Sequence, residues 1–361
     1  MYGARGAATA LAGTLALGTL FVSADLDAQA PADRDARIAL FARYMDALRL
    51  QAGIPGLSGA VISGEQVLWE GGYGLADVEG RVPAAPETPY RTASLTKTFT
   101  SALLMQCRDA GTLNLDAPIR NYTTVLPDPS ASVRHVLSMT SDAPAGSQYR
   151  YDGDRYAALT AVVEACTGES YRLALASRVL NRLGMFDSVP GQDLTAPAPD
   201  VAALFDTSTL DRYRRVLSRL AKPYVLRNGR AQLGEYPPQG ISASAGLIST
   251  VRDLARYDAA IDQYVLVSSE SQSLAWTPFA LTSQRPSPYG LGWFIQSTTA
   301  GRTVWHYGLW PTFSSFLLKL PERGVTLILL ANSDGLSARF PLADGDVTVS
   351  PFARAFIAAV R

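Results

Sequence analysis

Residues 32–52 show the spacing of an amphipathic helix. Apolar side chains recur at Ile38, Phe41, Met45 and Leu48, three or four positions apart. Because an α-helix turns once in about 3.6 residues, these four side chains share one face. Gly53 follows, and glycine is common just after the last turn of a helix. The pattern predicts a helix with one buried face.

Apolar runs bounded by turn residues predict strands near both ends of the chain. Near the N-terminus the runs cover residues 57–62 and 67–73, with Ser63, Gly64 and Glu65 between them. Tight turns between apolar runs are typical of antiparallel hairpins. The runs near the C-terminus cover residues 290–296, 302–306, 313–320 and 325–331.

Helical patterns dominate the middle of the chain and return at its end. They cover residues 94–110, 154–167, 170–183, a stretch after Thr250, and roughly residues 351–361. We therefore predict an α/β (α+β) fold in which residues 31–92 and 246–361 form an antiparallel sheet flanked by the N- and C-terminal helices. Residues 93–245 form an inserted, mostly helical part. The cleft between the two parts is a favoured position for an active site.

The first 30 residues are typical of a secretory signal peptide. Arg5 is the only charged residue before Asp25, and the stretch between them is rich in Ala, Leu and Thr. Small residues at Ala24 and Ala30 mark two candidate cleavage points. A membrane anchor is the alternative, but the stretch is only weakly apolar. We expect a secreted or periplasmic protein over residues 31–361, with no membrane contact beyond the signal segment.

The charge balance excludes some classes of partner. The 361 residues include 32 basic and 32 acidic side chains, so no general attraction to nucleic acid or anionic membrane is expected. Lysine is scarce, and occurs only at Lys97, Lys222 and Lys319. With two cysteines and two histidines, the chain has too few soft ligands for a Cys/His metal site. We expect neither a metal nor another cofactor.

Both cysteines fall among apolar residues of predicted helices. Export would place Cys107 and Cys166 in an oxidising compartment, where a disulfide persists. Free cysteine is also among the most buried residue types in proteins. We favour two buried free thiols, and a disulfide between them stays open.

Ser94 and Lys97 stand three positions apart at the start of a predicted helix. Side chains at this spacing lie on one face and can touch. A lysine shielded from water has a lowered pKa and can remove the proton that makes serine a weak nucleophile. The helix start also directs backbone N–H groups toward negative charge. The spacing alone is a weak signal, because it often arises by chance.

Two further places carry candidate chemistry. Tyr151 lies on a predicted loop between cationic residues, whose charge would lower the phenol pKa and suit it to proton transfer. His306 and Gly308 lie at the end of a predicted strand. The histidine can supply a hydrogen bond or, when protonated, a positive charge, and the glycine lets a substrate approach the strand edge. Taken singly, such residues are more often structural.

Taken together and in this order, Ser94-x-x-Lys97, Tyr151 and His306-x-Gly308 resemble the serine β-lactamase and penicillin-binding-protein superfamily. The chain is most similar to the class C β-lactamase-like branch, which also contains D-alanyl-D-alanine carboxypeptidases, D-amino acid peptidases and family VIII carboxylesterases. Other stretches that resemble this branch, over roughly residues 35–360, are residues 111–119, 133–141, 183–185, 245–250 and 289–293.

The resemblance implies catalysis through an acyl-enzyme. Ser94 would be the acylated nucleophile, Lys97 its activating partner and Tyr151 the proton-transfer residue. Water would then cleave the acyl-enzyme. The implied substrates are small-molecule esters, D-amino-acid peptides or β-lactams, and no metal is implied.

The resemblance also implies substrate-binding groups. The backbone N–H groups of Leu309 and Ser94 would form an oxyanion hole, and His306 and Gly308 would line the substrate strand. The family usually has Tyr-x-Asn, but here Gly153 stands at the third position. Loss of that amide is expected to weaken amide substrates more than simple esters. A histidine at position 306 argues only against a dedicated β-lactamase.

The sequence has two alternative interpretations, an α/β-hydrolase and an inactive member of the same superfamily. An α/β-hydrolase needs a Gly-x-Ser-x-Gly elbow, and residues 242–246 lack its first glycine. A catalytically weak or inactive family member would bind cell-wall peptide or another ligand without turnover. Because Ser94, Lys97 and Tyr151 occur together, we favour an active hydrolase. Esterase, peptidase and β-lactamase all stay open, as does the oligomeric state.

Overall fold

The computed structural model of the protein describes residues 24–124, 128–228 and 230–360. Residues 1–23, which hold nearly all of the predicted signal peptide's apolar stretch, lie outside that part. Across the three described ranges, no helix has both the length and the apolar character needed to cross a membrane.

Strands at both ends of the chain surround a mostly helical middle. The strands are β1 (Gly56–Ser63), β2 (Gln66–Asp77), β3 (Val82–Pro83), β4 (Tyr90–Arg91), β5 (Val189–Pro190), β6 (Tyr224–Arg227), β7 (Arg230–Leu233), β8 (Leu247–Ser249), β9 (Phe294–Thr298), β10 (Gly301–Trp310), β11 (Phe313–Leu320) and β12 (Val325–Ala331). The helices are α1 (Ala24–Ala52), α2 (Thr96–Asp109), α3 (Val133–Leu137), α4 (Gly153–Tyr156), α5 (Leu159–Thr167), α6 (Tyr171–Leu175), α7 (Pro199–Ala202), α8 (Thr207–Leu217), α9 (Val251–Asp262), α10 (Ser269–Ala275) and α11 (Pro351–Ala359).

A seven-stranded antiparallel sheet joins the two ends of the chain. Its order is β3-β2-β1-β12-β11-β10-β9, and the N- and C-terminal halves meet where Leu57 of β1 pairs with Ala331 of β12. β11 and β12 are buried along their whole length, which requires cover on both faces. The predicted antiparallel α/β fold with flanking helices is confirmed.

Helices cover both faces of this sheet, as two neighbouring residues of β2 illustrate. Trp69 packs edge-to-face on Phe41 of α1 with ring centroids 5.9 Å apart, and Phe41 also contacts Phe356 of α11. The next residue, Glu70, pairs with Arg252 of α9 at 2.9 Å. Successive side chains of a strand point to opposite faces, so α1 and α11 cover one face and α9 the other.

The predicted amphipathic face of α1 is confirmed, since Ile38, Phe41, Met45 and Leu48 are all buried. The strand predicted over residues 290–296 begins later, at Phe294. Gly292 has φ of +89°, outside the extended region, and residues 290–293 turn past α2 and α10. Alternating apolar residues at this point belong to a buried turn rather than a strand.

Cys107 and Cys166 form a disulfide that joins α2 to α5, with Cα atoms 6.0 Å apart. Our preference for free thiols is therefore wrong. Both residues have apolar neighbours because both helices are buried, and that pattern does not distinguish a thiol from a bridge. The pairing depends on how two helices pack across a sequence separation of 59 residues.

We expect the disulfide to stabilise the fold without affecting Ser94, which lies at the opposite end of α2. Closing a loop of 59 residues lowers the entropy of the unfolded chain, which adds about 4 kcal/mol to the free energy of unfolding. Urea unfolding with and without reductant measures this loss. A variant with alanine at Cys107 and Cys166 should show the reduced protein's stability and no response to reductant. Equal stability of oxidised and reduced wild-type protein would contradict the prediction.

Candidate active site

Ser94 lies on a short turn, Ala93–Leu95, that tertiary contacts hold in place before α2 begins. Ala93 has φ of +47°, which is uncommon for a residue with a side chain. The Thr92 N–H and hydroxyl both donate to the Leu247 carbonyl, at 2.9 and 3.0 Å. The Ser315 hydroxyl donates to the Thr92 carbonyl at 2.6 Å. Contacts from β8 and β11 therefore maintain the strained backbone that presents Ser94.

The predicted contact between Ser94 and Lys97 is present. Ser94 is partly exposed, whereas Lys97 is buried, and their Oγ and Nζ atoms are 3.0 Å apart. The Lys97 amine also donates to the Ser244 carbonyl at 3.0 Å. A nucleophile open to solvent is thus paired with a base that is shielded from it.

Burial lowers the pKa of Lys97 to about 7, although the nearby Asp152 and Asp154 carboxylates oppose this change. Removal of an ammonium from water is costly, so the neutral amine becomes accessible near neutral pH. In the neutral amine the 3.0 Å contact lets the Ser94 hydroxyl donate to Nζ. Lys97 therefore has both the position and the pKa of a general base.

Tyr151 lies beside this pair. Its ring centroid is 5.3 Å from the Lys97 amine. Its hydroxyl is buried and makes no hydrogen bond of standard geometry within the described residues. Burial raises the pKa of Tyr151 well above its ordinary value, Tyr307 adds to the effect, and the nearby Ser94 hydroxyl opposes it. The phenol therefore keeps its proton at neutral pH and can act as a proton donor.

The prediction that the pKa of Tyr151 is lowered is wrong, because the neighbouring arginines pair with carboxylates and not with the phenol. Arg150 donates to Asp142 at 2.5 and 3.0 Å. Arg155 pairs with Asp142 and with Asp152. Their charges are neutralised in this ion-pair cluster, so burial of the phenol dominates.

Met139 holds the loop that carries Tyr151. Its carbonyl accepts the Arg150 N–H at 2.9 Å, and its sulfur accepts the Asp152 N–H at 3.4 Å. The residues on both sides of Tyr151 are thus hydrogen-bonded to one buried residue, Met139, whose backbone has φ of +59°. Within the stretch 133–141, Met139 is the residue that positions the tyrosine.

His306 is buried beside the Ser94–Lys97 pair, and it is a neutral hydrogen-bonding residue rather than a charged group. Its Nδ1 lies 2.7 Å from the Tyr307 carbonyl, which only accepts, so Nδ1 carries the proton. Its Nε2 then accepts from the Tyr289 hydroxyl at 2.8 Å. Burial, aided by the Lys97 charge, lowers the pKa of His306 to about 3. Of the two predicted roles, the structure favours the hydrogen bond over the positive charge.

Gly308 brings β10 directly against the turn that presents Ser94. A Cβ atom added at Gly308 would lie 2.2 Å from the Thr92 carbonyl oxygen and 2.2 Å from the Ser315 hydroxyl. Leu309 follows at the partly exposed end of β10. Only glycine allows β10 to lie this close to the turn that carries Ser94. This close approach places the backbone around Leu309 near the nucleophile.

Comparison with known proteins agrees with this arrangement. The family model described as Beta-lactamase matches residues 23–347. The chain belongs to the β-lactamase family. A structure of the octameric penicillin-binding protein homologue from Pyrococcus abyssi matches with a TM-score of 0.71 at 22% identity, over 89% of this chain and 77% of that chain. The predicted superfamily is thereby confirmed.

Two curated relatives extend the comparison. The chain is 23% identical over 317 residues to a penicillin-binding protein of Bacillus subtilis, covering 77% of this chain and 68% of that protein. It is 23% identical over 322 residues to a D-aminopeptidase of Gluconobacter oxydans, covering 78% of this chain and 57% of that protein. The chain thus spans about two thirds or less of these relatives. In general class, the protein is a serine hydrolase of the β-lactamase and penicillin-binding-protein type.

Sequence reasoning missed two residues of this β-lactamase-family site. Ser244 supplies the carbonyl that binds Lys97, and Tyr289 supplies the hydroxyl that binds His306. Tyr289 begins a stretch that resembles the family, and Ser244 directly precedes one, so a signal was present. Neither role follows from that signal, because both depend on contacts between distant segments.

Gly153 opens α4 directly beside the base. A Cβ atom added there would lie 3.7 Å from the Lys97 amine, an ordinary contact distance. The φ of Gly153 lies outside the left-handed region, so a larger residue fits the backbone. A polar side chain at this position would therefore face Lys97 without displacing it.

Proposed function

We propose that the protein hydrolyses esters, and less readily D-amino-acid peptides or β-lactams, through an acyl-enzyme on Ser94. The observation that carries this proposal is the 3.0 Å contact between the Ser94 hydroxyl and the buried Lys97 amine. Burial lowers the pKa of that amine to about 7, so it is a competent base at neutral pH. Gly153 leaves Lys97 without an amide neighbour that would help to hold an amide substrate.

Acylation begins when neutral Lys97 takes the proton of the Ser94 hydroxyl. The Ser94 oxygen forms a bond to the substrate carbonyl carbon, and the N–H groups of Ser94 and Leu309 hold the resulting oxyanion. The bond to the leaving alcohol then breaks. Tyr151 protonates the departing oxygen and is reprotonated by the Lys97 ammonium, which carries the proton taken from Ser94. One proton is thus transferred in net from Ser94 to the alcohol, and Lys97 and Tyr151 return to their starting states.

Deacylation repeats these steps with water. Neutral Lys97 takes a proton from water, and the hydroxide adds to the acyl carbonyl carbon. The bond to the Ser94 oxygen breaks, and Ser94 recovers a proton through Tyr151. The carboxylic acid leaves and the enzyme returns to its starting state, with one water consumed.

A direct comparison of substrates tests this proposal. We expect mature protein to hydrolyse p-nitrophenyl butyrate faster than a chromogenic cephalosporin or a peptide ending in D-Ala-D-Ala. The Ser94→Ala variant should show only the background rate. If wild-type protein and Ser94→Ala match for every substrate, Ser94 catalyses none of these hydrolyses and the proposal fails. If only the cephalosporin is turned over, the protein is a β-lactamase instead of an esterase.

We further propose that the protein is secreted or periplasmic. The signal-like N-terminus and the Cys107–Cys166 disulfide support this location, because disulfides persist in oxidising compartments. Since α1 begins at Ala24, cleavage after Ala24 would leave nearly the whole helix, whereas cleavage after Ala30 would shorten it. N-terminal sequencing of the exported protein distinguishes these sites, and an uncleaved cytoplasmic product would contradict the proposal.

The pH dependence of ester hydrolysis should follow Lys97. Because only the neutral amine is a base, kcat/KM should rise with pH through a midpoint near 7, the pKa to which burial lowers Lys97, and then reach a plateau. The raised pKa of Tyr151 predicts no alkaline decline up to about pH 9.5. Initial rates corrected for spontaneous hydrolysis measure this profile. A midpoint above about pH 9 would contradict the role of Lys97.

Gly153→Asn should move the preference toward amides. The new side chain begins 3.7 Å from the Lys97 amine and can bind both that amine and a substrate amide. We expect the cephalosporin-to-ester ratio of kcat/KM to rise by up to about tenfold, the value of one strong hydrogen bond between neutral groups, here the new side chain and the substrate amide. Gly153→Ala is the matched control, because it adds the Cβ atom without the amide. Equal ratios in both variants would refute the role of this position.

A further inference from the structure

A cavity of about 310 Å³ opens beside the turn that presents Ser94. This volume lies at the lower end of the range of small-molecule pockets, which is about 300–1,000 Å³. Most of its wall is apolar. The apolar wall residues are Ala93, Pro237, Pro238, Ile241, Ala245 and Trp310.

Three of the segments that carry the proposed chemistry also contribute to this cavity. Ala93 directly precedes Ser94, and Trp310 directly follows Leu309. Ser244, whose carbonyl binds the Lys97 amine, lines the cavity as well. A group bound in the cavity is therefore connected to the reacting carbonyl by only a few bonds.

Arg91 is the one charged residue among those described as lining the cavity, and its side chain is already hydrogen-bonded to other protein groups. Arg91 is buried and donates to the Gln192 side chain at 2.9 Å and to the Pro238 carbonyl at 2.7 Å. Burial lowers the pKa of Arg91 to about 10. Its two terminal nitrogens each donate to a protein partner, and turning them toward a substrate carboxylate would break these bonds. The cavity therefore suits an uncharged, apolar group.

The position of the cavity relative to Tyr151 indicates which half of the substrate it binds. Tyr151 is the proposed proton donor to the leaving group, so the alcohol must face it. Tyr151, Tyr289 and His306 are absent from the described residues that line the cavity. The cavity thus lies away from the leaving group, on the acyl side of the ester bond.

We infer that this cavity is an acyl pocket, and that the substrates are esters whose acyl part is an uncharged apolar group of about four to eight carbons. The inference rests on the proposed acyl-enzyme function of Ser94. Burial of successive methylene groups lowers the transition-state free energy, so longer acyl chains react faster until the cavity is full. Ala245 also lines the cavity, and its side chain is smaller than those of Ile241 and Ser244, so a larger residue at position 245 fills the cavity.

A series of p-nitrophenyl esters from acetate to dodecanoate tests the inference with a constant leaving group. For wild-type protein we expect kcat/KM to rise about threefold per methylene, or roughly 80-fold over the four methylenes from acetate to hexanoate, and to fall for dodecanoate. In Ala245→Trp the hexanoate-to-acetate ratio should drop to about threefold or less. Ala259→Trp is the matched control, because it enters a separate cavity between β2 and α9 and should keep the wild-type ratio.

The failures of the two proposals are distinguishable. Turnover with no chain-length dependence in wild-type protein, or an unchanged ratio in Ala245→Trp, would overturn the acyl pocket while the Ser94 function stands. No turnover of any ester, together with no acyl adduct on Ser94, would overturn the function itself. If Ala245→Trp does not fold, Trp310→Ala provides the second test, because Trp310 is 39% exposed. It should move the optimum to longer acyl chains, and an unmoved optimum would overturn the pocket.

Discussion

Replacing Lys97 with methionine is expected to lower kcat/KM for p-nitrophenyl butyrate by about four orders of magnitude, or about 5.5 kcal/mol in transition-state free energy. The amine is 3.0 Å from the Ser94 hydroxyl and is the group placed to take its proton. Methionine keeps the length and apolar body of the buried side chain but cannot accept a proton. Steady-state hydrolysis corrected for the Ser94→Ala background measures the loss.

The other lysines define the control. Lys222 is exposed, so Lys222→Met should keep kcat/KM within about twofold of wild type. Lys319 is unsuitable, because it is buried and pairs with Asp258 at 2.5 Å and with Asp262 at 2.9 Å. Its removal would leave the buried Asp258 carboxylate without a cation and destabilise the fold. Activity of Lys97→Met within tenfold of wild type would show that another group is the base.

Gly308→Ala is expected to lower kcat/KM by about 100-fold or more, because a displacement of about 1 Å at the nucleophile has that effect. The added Cβ atom would lie 2.2 Å from the Thr92 carbonyl oxygen, which is backbone and cannot rotate away. β10 and the turn carrying Ser94 must separate, which moves the Leu309 N–H away from the reacting carbonyl. Ester hydrolysis and thermal unfolding of the variant measure both consequences.

Gly71→Ala is the matched control for this substitution. Gly71 lies on β2 of the same sheet, and its added Cβ atom would meet only the Trp69 side chain, at 3.2 Å. It should therefore keep the wild-type kcat/KM, with a small loss of stability. If Gly308→Ala retains activity within threefold of wild type, the close approach of β10 is not required for catalysis.

The parts of the fold that sequence predicts well are those with local causes. The buried face of α1 follows from the 3.6-residue period, and the hairpin of β11 and β12 follows from a turn between two apolar runs. The contact of Ser94 with Lys97 is also local, because the two residues are three positions apart where the turn Ala93–Leu95 leads into α2. Such features depend on neighbours in the chain, which a single sequence displays.

The parts that sequence does not predict depend on contacts between distant segments. The raised pKa of Tyr151 reflects burial and the diversion of Arg150 to Asp142. The neutral state of His306 reflects its burial in the folded protein, where the Tyr289 hydroxyl donates to its Nε2. The disulfide, the carbonyl of Ser244 and the acyl cavity likewise need two or more segments in place. Residue types alone indicate the chemistry at such positions, whereas the protonation states follow from packing.

Intact-mass analysis after reaction with a fluorophosphonate tests the central claim most directly. We expect wild-type protein to gain the mass of one phosphonyl group, and peptide mapping to locate it on Ser94. The Ser94→Ala variant should gain none, and Lys97→Met should react far more slowly because its serine lacks a base. No adduct on wild-type protein, with this probe or with a fluorescent penicillin, would contradict the acyl-enzyme account, and an adduct that persists in Ser94→Ala would contradict the choice of nucleophile.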